Sequence, residues 1–153
     1  MPRNIFVKPL NGYRLTDLTR PKFPHFTEEE SHVLREFIKA KVIEGEWWTD
    51  VKLTSRKAKY IETMEEPWRT MWLMLTAKRI DAVCVARDYV HIIEVKKIML
   101  PSGVGQLSLY RMMFAEEYKP RIPIRLWYVT YYRDPDVEEM CRRAGIRTWS
   151  VVK

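Results

Sequence analysis

At 153 residues, with 46% apolar and 31% charged side chains, the chain has the length and composition of a single folded domain, globular rather than disordered. No apolar run reaches the length of a membrane span, and the N-terminal stretch MPRNIFVKPLNGYRL lacks the apolar centre of a signal peptide, so a soluble protein of the cytoplasm is expected. The net charge of +7 favours polyanionic partners such as nucleic acid, although charge alone raises that expectation only modestly.

Residues 1–26 contain four prolines and no sustained period, which predicts an irregular leader packed on or wrapped around a domain of residues 27–153. TEEESHVLREFIKAKVIEG then predicts a helix over 27–44. Thr27 is its N-cap, Glu30 completes a capping box, Val33, Leu34, Phe37, Ile38 and Lys41 mark one stripe, and Gly45 is the stop. WWTDVKLTS (47–55) predicts a strand, RKAKYIETMEE a polar connection, and PWRTMWLMLTAK a helix with Pro67 at its start, although a strand also fits there.

RIDAVCVARDYVHIIEVKK predicts a β-hairpin with arms 79–86 and 89–97 and a turn near Arg87–Asp88. A helix follows from around Ser102–Gly105, then a strongly apolar strand in PIRLWYVTYY. DPDVEEMCRRAG predicts a short helix with Asp134 as N-cap, Pro135 at the first position and Gly145 as the stop, and IRTWSVV a last strand. Cys84 falls in a strand and Cys141 in a helix, without metal-type spacing, so both read as reduced, buried thiols in a reducing interior. The order αβ(α)ββαβαβ predicts an α/β domain with a mixed central sheet flanked by helices.

The chemistry concentrates in HIIEVKK (91–97). Alternation puts Glu94 and Lys96 on one face of the strand and Ile93 and Val95 on the other. Asp81 interrupts the apolar IDAVCV of the first arm, where an unpaired carboxylate is costly. The hairpin brings Asp81 roughly opposite Glu94 and Val95, but a slip of one residue would separate the two acids. Two carboxylates from adjacent strands suit a hard divalent cation, and a lysine beside it can orient a water and stabilise charge on an attacked phosphate. The plainer alternative is a solvent-facing Glu94–Lys96 ion pair. Gln106 and Tyr110 stand one turn apart on the next helix.

Together, RIDAVCVARDYVHIIEVKK and GVGQLSLYRMMF resemble the PD-(D/E)XK nuclease superfamily, particularly its RecB-like branch and its compact phage and viral members. That signature is an acid on one strand, Glu-x-Lys on the next and Gln-x-x-x-Tyr on the following helix; here Asp81, Glu94, Lys96, Gln106 and Tyr110 occupy the positions. The resemblance implies a restriction-endonuclease-like αβββαβ core and metal-dependent hydrolysis of DNA phosphodiesters, structure-specific or non-specific. It implies Asp81 and Glu94 as ligands of Mg²⁺ or Mn²⁺, the Val95 carbonyl as a further oxygen, Lys96 as the residue that positions water, and Gln106 and Tyr110 as supports. Glu30 is a candidate additional ligand, with the capping-box role an equal account of it; Glu44, Glu46 and Asp50 remain open.

Lys97, Arg142 and Arg143 are candidate DNA contacts, Arg147 extends the basic patch of the last two, and solvated charge is the alternative for all four. Trp47, Trp48, Tyr131 and Tyr132 are candidates for stacking on bases, whereas Trp68, Trp72 and Trp127 read as core. SGVGQ places two glycines before a helix start, a candidate phosphate seat but not an NTP-binding loop. His32 and His91 read as ordinary surface and core histidines, and His25 carries no signal. A homodimer or a larger nucleoprotein assembly would suit the chemistry. Two other classes remain open: a catalytically silent nuclease-fold subunit that binds DNA or serves a structural role, and a basic interaction module.

Overall fold

The computed structural model describes residues 4–54, 61–76 and 78–153. Thr27 opens helix α1 (Glu28–Lys39). Its hydroxyl accepts from the Glu30 N–H and Glu30 Oε1 accepts from the Thr27 N–H, each at 3.0 Å, which closes the capping box. The helix ends at Lys39 rather than continuing to residue 44, because Lys41 takes the left-handed conformation (φ 53°) that stops a helix. Gly45 has another role: a Cβ there would lie 2.4 Å from the Val85 carbonyl oxygen, so the chain can pass the hairpin only as glycine.

Six strands form one sheet in the order β1–β2–β3–β4–β5–β6. β1 (Tyr13–Arg14), β2 (Glu46–Leu53), β3 (Lys78–Val85) and β4 (Val90–Lys96) pair antiparallel. β5 (Ile124–Thr130) runs parallel to β4, and β6 (Ile146–Ser150) parallel to β5. The change of direction after β4 needs a crossover, which α3 (Pro101–Tyr118) supplies. The helix α4 (Pro135–Arg143) then links β5 to β6, capped by Asp134, whose Oδ1 accepts from the Asp136 and Val137 N–H groups. The fold is therefore α/β, with a mixed sheet of six strands and four helices among the described residues.

Each face of the sheet carries its own core. On one side α1 packs Val33, Leu34 and Phe37 against Ala82, Cys84, Ile93, Val95, Trp127 and Val129. On the other, α3 and α4 pack Leu107, Phe114 and Cys141 with Val83, Ile92, Leu126 and Tyr128. Each such side chain contributes roughly 1.5–3 kcal/mol by leaving water. Both cysteines are buried and free.

Residues 4–26 are irregular apart from β1, and they are tied down. Phe23 and Phe26 enter the α1-side core, and the Ser31 hydroxyl accepts the Phe23 N–H at 2.9 Å while donating to the Thr27 carbonyl at 2.8 Å.

Two tryptophans depart from expectation. Trp47 is buried edge-on against Phe37, because β2 turns it towards α1. Trp68, on α2 (Trp68–Thr76), is 63% exposed, because among the described residues α2 makes no extensive contact with either face of the sheet. The predicted connection of residues 56–66 lies partly outside the described residues. No helix among the described residues is long and apolar enough to cross a membrane.

Candidate carboxylate site at the end of the hairpin

The β3–β4 hairpin turns where the Ala86 N–H meets the Tyr89 carbonyl at 3.0 Å, and its register pairs Val85 with Val90 through to Ala82 with Ile93. One further step brings Asp81 opposite Glu94. The regular ladder stops there, and the next donor, the Val95 N–H, is taken by Asp81 Oδ2 at 2.9 Å. Asp81 thus replaces a backbone acceptor with a carboxylate, anchored beside the carboxyl of Glu94.

Glu94 is 3% exposed, and its Oε2 has no hydrogen-bond partner. A buried charge without compensation would cost several kcal/mol, which favours the protonated form of the pair. Burial pushes the Glu94 carboxyl up to about 10, reinforced by the hydrogen bond with Asp81 and by its charge. Burial also raises Asp81, against the opposing pull of its bonds to Glu94 and Val95. The positive charge of Lys96 acts on both carboxyls in the direction of ionisation, and Glu30 acts on both against it. Lys96 and Glu30 therefore stand within electrostatic range of the two acids, with Glu30 also engaged in the α1 cap.

The wall opposite the acids comes from α3. Tyr110 is buried, and burial together with the charges of Glu94 and Asp81 pushes its phenol up to about 12. Tyr128, on β5 beside Glu94, was not singled out by sequence; its hydroxyl accepts the Leu100 N–H at 3.0 Å and so fixes the start of α3. Gly103 makes this possible, because a Cβ there would meet the Tyr128 ring at 2.4 Å. α3 opens at Pro101, with Gly103 inside it, so the glycine expected to seat a phosphate instead admits a tyrosine.

Other predicted residues lie elsewhere. Gln106 is exposed on α3, one turn before Tyr110. Lys97 turns away from Lys96 and lies 3.4 Å from Glu29. Arg142 and Arg143 are exposed on α4 and both pair with Glu139. Glu46 pairs with Arg14, and Glu44 is exposed. His91 is a core histidine that accepts from Trp127 Nε1 at 2.9 Å; burial brings it down to about 4.

Asp50 belongs to a second cluster that sequence did not reveal. Thr49–Ala82 and Val51–Ile80 pairing brackets Asp50 and Asp81, which puts the two at neighbouring positions of β2 and β3. Asp50 is 3% exposed; its Oδ2 lies 3.2 Å from His25 Nε2 without hydrogen-bond geometry, and its Oδ1 lies 3.6 Å from Arg79 Nε. Both Asp50 (φ 53°) and His25 (φ 63°) have left-handed backbones, a strain of roughly 1–2 kcal/mol each. With Asp81, these residues line a cleft of about 170 Å³. This places Asp50 on the border of the carboxylate site, held by Arg79 and His25.

Among the described residues, no three His, Cys, Asp or Glu side chains form a ready-made metal-binding group. The donor set is two carboxylates with one orphaned oxygen. That fits a hard cation which keeps several waters, and does not fit a cation that needs a full cage of protein ligands. No protein-family model, curated protein or solved structure matches the chain.

Proposed function

We propose that the protein is a Mg²⁺- or Mn²⁺-dependent nuclease that hydrolyses DNA phosphodiester bonds, on a restriction-endonuclease-like αβββαβ core of the PD-(D/E)XK type. The observation that carries this reading is the meeting of Asp81 and Glu94 at the end of the hairpin, with Glu94 Oε2 buried and lacking a hydrogen bond. The succession α1, β2, β3, β4, α3, β5 follows the αβββαβ order with α2 inserted, and supports the same reading.

Asp81 and Glu94 would hold the cation, and Val95, fixed through its N–H to Asp81, brings a backbone carbonyl to the same stretch. When bound, the ion supplies Lewis-acid polarisation of a phosphate and a more acidic water. Lys96 would orient an attacking water and stabilise negative charge developing on the phosphate oxygens. The buried Tyr110 and Tyr128 exclude solvent from the back of the pair, Tyr128 holds the α3 start in place, and Gln106 is exposed on the same helix. The net charge of +7 assists a polyanionic substrate.

One observation favours the silent-subunit alternative: among the described residues, no three acid, histidine or cysteine side chains form a ready-made metal-binding group. Incubation with branched, duplex and single-stranded DNA and with RNA, in Mn²⁺ or Mg²⁺, separates the readings. Cleavage by wild type that is lost in Asp81→Ala, Glu94→Ala and Lys96→Ala supports the nuclease. Cleavage unchanged in all three sinks the assigned centre, and no cleavage by wild type favours the silent subunit.

A further inference from the structure

A cleft of about 400 Å³ opens on the α1 side of the sheet, lined by Glu28, Glu29, His32, Lys97, Tyr131 and Tyr132. Lys97 follows Lys96 in the chain, so the cleft and the carboxylate site lie on opposite sides of the same strand end. Both sit where β4 and β5 end at their carboxyl termini, the position at which open α/β sheets receive ligands. The volume falls within the range of small-ligand sites, roughly 300–1,000 Å³.

The two tyrosines form a rigid wall. Their N–H groups both donate to the Lys97 carbonyl, at 3.2 and 3.0 Å. The Val152 N–H donates to the Tyr131 carbonyl at 3.0 Å, and the Thr130 hydroxyl to the Tyr132 carbonyl at 2.7 Å. The rings meet edge to face with centroids 4.9 Å apart, and Tyr132 is 48% exposed. A fixed, uncovered aromatic of this kind presents a π-face at little entropic cost.

The charges around it select the occupant. Two carboxylates, Glu28 and Glu29, face one ammonium, Lys97, which lies 3.4 Å from Glu29. That balance disfavours an anion inside the cleft and favours an uncharged group rich in hydrogen-bond donors. A nucleobase with an exocyclic amine has both the flat face and the donors, and carboxylates accept from such amines. Lys97, at the rim, is free to exchange Glu29 for a backbone phosphate, since both side chains are about half exposed or more.

We propose that this cleft binds one unpaired base of a single-stranded segment, preferring amino-bearing cytosine or adenine to thymine or uracil. The inference rests on the nuclease reading for its nucleic-acid substrate and adds the strand state and base class. The cleft would hold a splayed nucleotide next to the strand end that carries Glu94 and Lys96, which makes single-stranded or branched DNA the favoured substrate.

The test is fluorescence anisotropy with labelled oligo-dC, oligo-dT and a duplex, in chelator so that no cleavage occurs. Wild type is expected to bind oligo-dC several-fold more tightly than oligo-dT, and either strand more tightly than duplex. Tyr132→Ala is expected to weaken oligo-dC binding about tenfold, the scale of one lost base stack. The double variant Glu28→Gln/Glu29→Gln should keep oligo-dC binding and lose the preference over oligo-dT. Equal affinity for all three ligands, unchanged in Tyr132→Ala, overturns the proposal. Cleavage in Mn²⁺ is read separately. Cleavage with Tyr132-independent binding contradicts the base cleft and leaves the carboxylate site standing. Tyr132-dependent binding without any wild-type cleavage supports the cleft and counts against the nuclease.

Discussion

Asp81 and Glu94 face each other across the first position beyond the regular β3–β4 ladder, with Asp81 Oδ2 taking the Val95 N–H at 2.9 Å. A hairpin that ended one residue earlier or later would put the two carboxyls on different faces. The arrangement therefore depends on the Ala86–Tyr89 turn as much as on the acids themselves.

Replacing either acid, or Lys96, by alanine is expected to lower the rate of DNA cleavage by about 10²–10³-fold or more, the scale of removing a group that stabilises transition-state charge. Asp81→Asn and Glu94→Gln keep the volume and should show the same loss. Single-turnover cleavage in Mn²⁺, with circular dichroism to check folding, measures both sets.

The carboxyl pair makes stability depend on pH in an unusual direction. Glu94 has an ordinary value of 4.5 when unfolded and is pushed up to about 10 in the fold, so the native state binds more protons than the unfolded chain. The proton's contribution is fully present below the unfolded value and is lost as pH rises towards the folded one. Without metal, unfolding free energy should fall between these limits, by at most about 1.4 kcal/mol per pH unit. Glu94→Gln, which cannot ionise, should flatten the slope. Urea titrations across that range, in chelator, decide it.

Gly103→Ala should destabilise the protein by about 1–3 kcal/mol, because the new methyl meets the Tyr128 ring at 2.4 Å and one of them must move. Gly105→Ala, two residues on, meets nothing within 4 Å and should be neutral or mildly stabilising. Chemical denaturation of the two variants side by side separates a packing effect from a general helix effect.

Glu30 is held by the capping box, so Glu30→Gln should preserve stability within about 0.5 kcal/mol and leave Mn²⁺ affinity within about threefold of wild type. Thr27→Ala, which removes the other half of the box, should cost about 1 kcal/mol. A large loss of Mn²⁺ affinity in Glu30→Gln would make Glu30 a ligand.

The hairpin, residues 79 to 97, was readable because its signals are local. The β-branched alternation of HIIEVKK places Glu94 and Lys96 on one face, and Asp81 stands out as the polar residue in an apolar arm. What sequence left open was register, which the turn hydrogen bond settles in space. The end of α1 was missed because Lys41, not a glycine, adopts the left-handed stop. Trp47 and Trp68 exchanged roles because burial of an aromatic depends on which element covers it. The His25–Asp50–Arg79 cluster joins residues far apart in the chain through two left-handed backbones, and no spacing rule marks it.

Calorimetric titration of Mn²⁺ near neutral pH, in two buffers of different ionisation enthalpy, tests the central claim most directly. The account predicts that wild type binds the ion and releases about one proton from the Asp81–Glu94 pair, and that Asp81→Asn and Glu94→Gln bind at least about tenfold more weakly. No binding by wild type, or equal affinity in all three proteins, would contradict it.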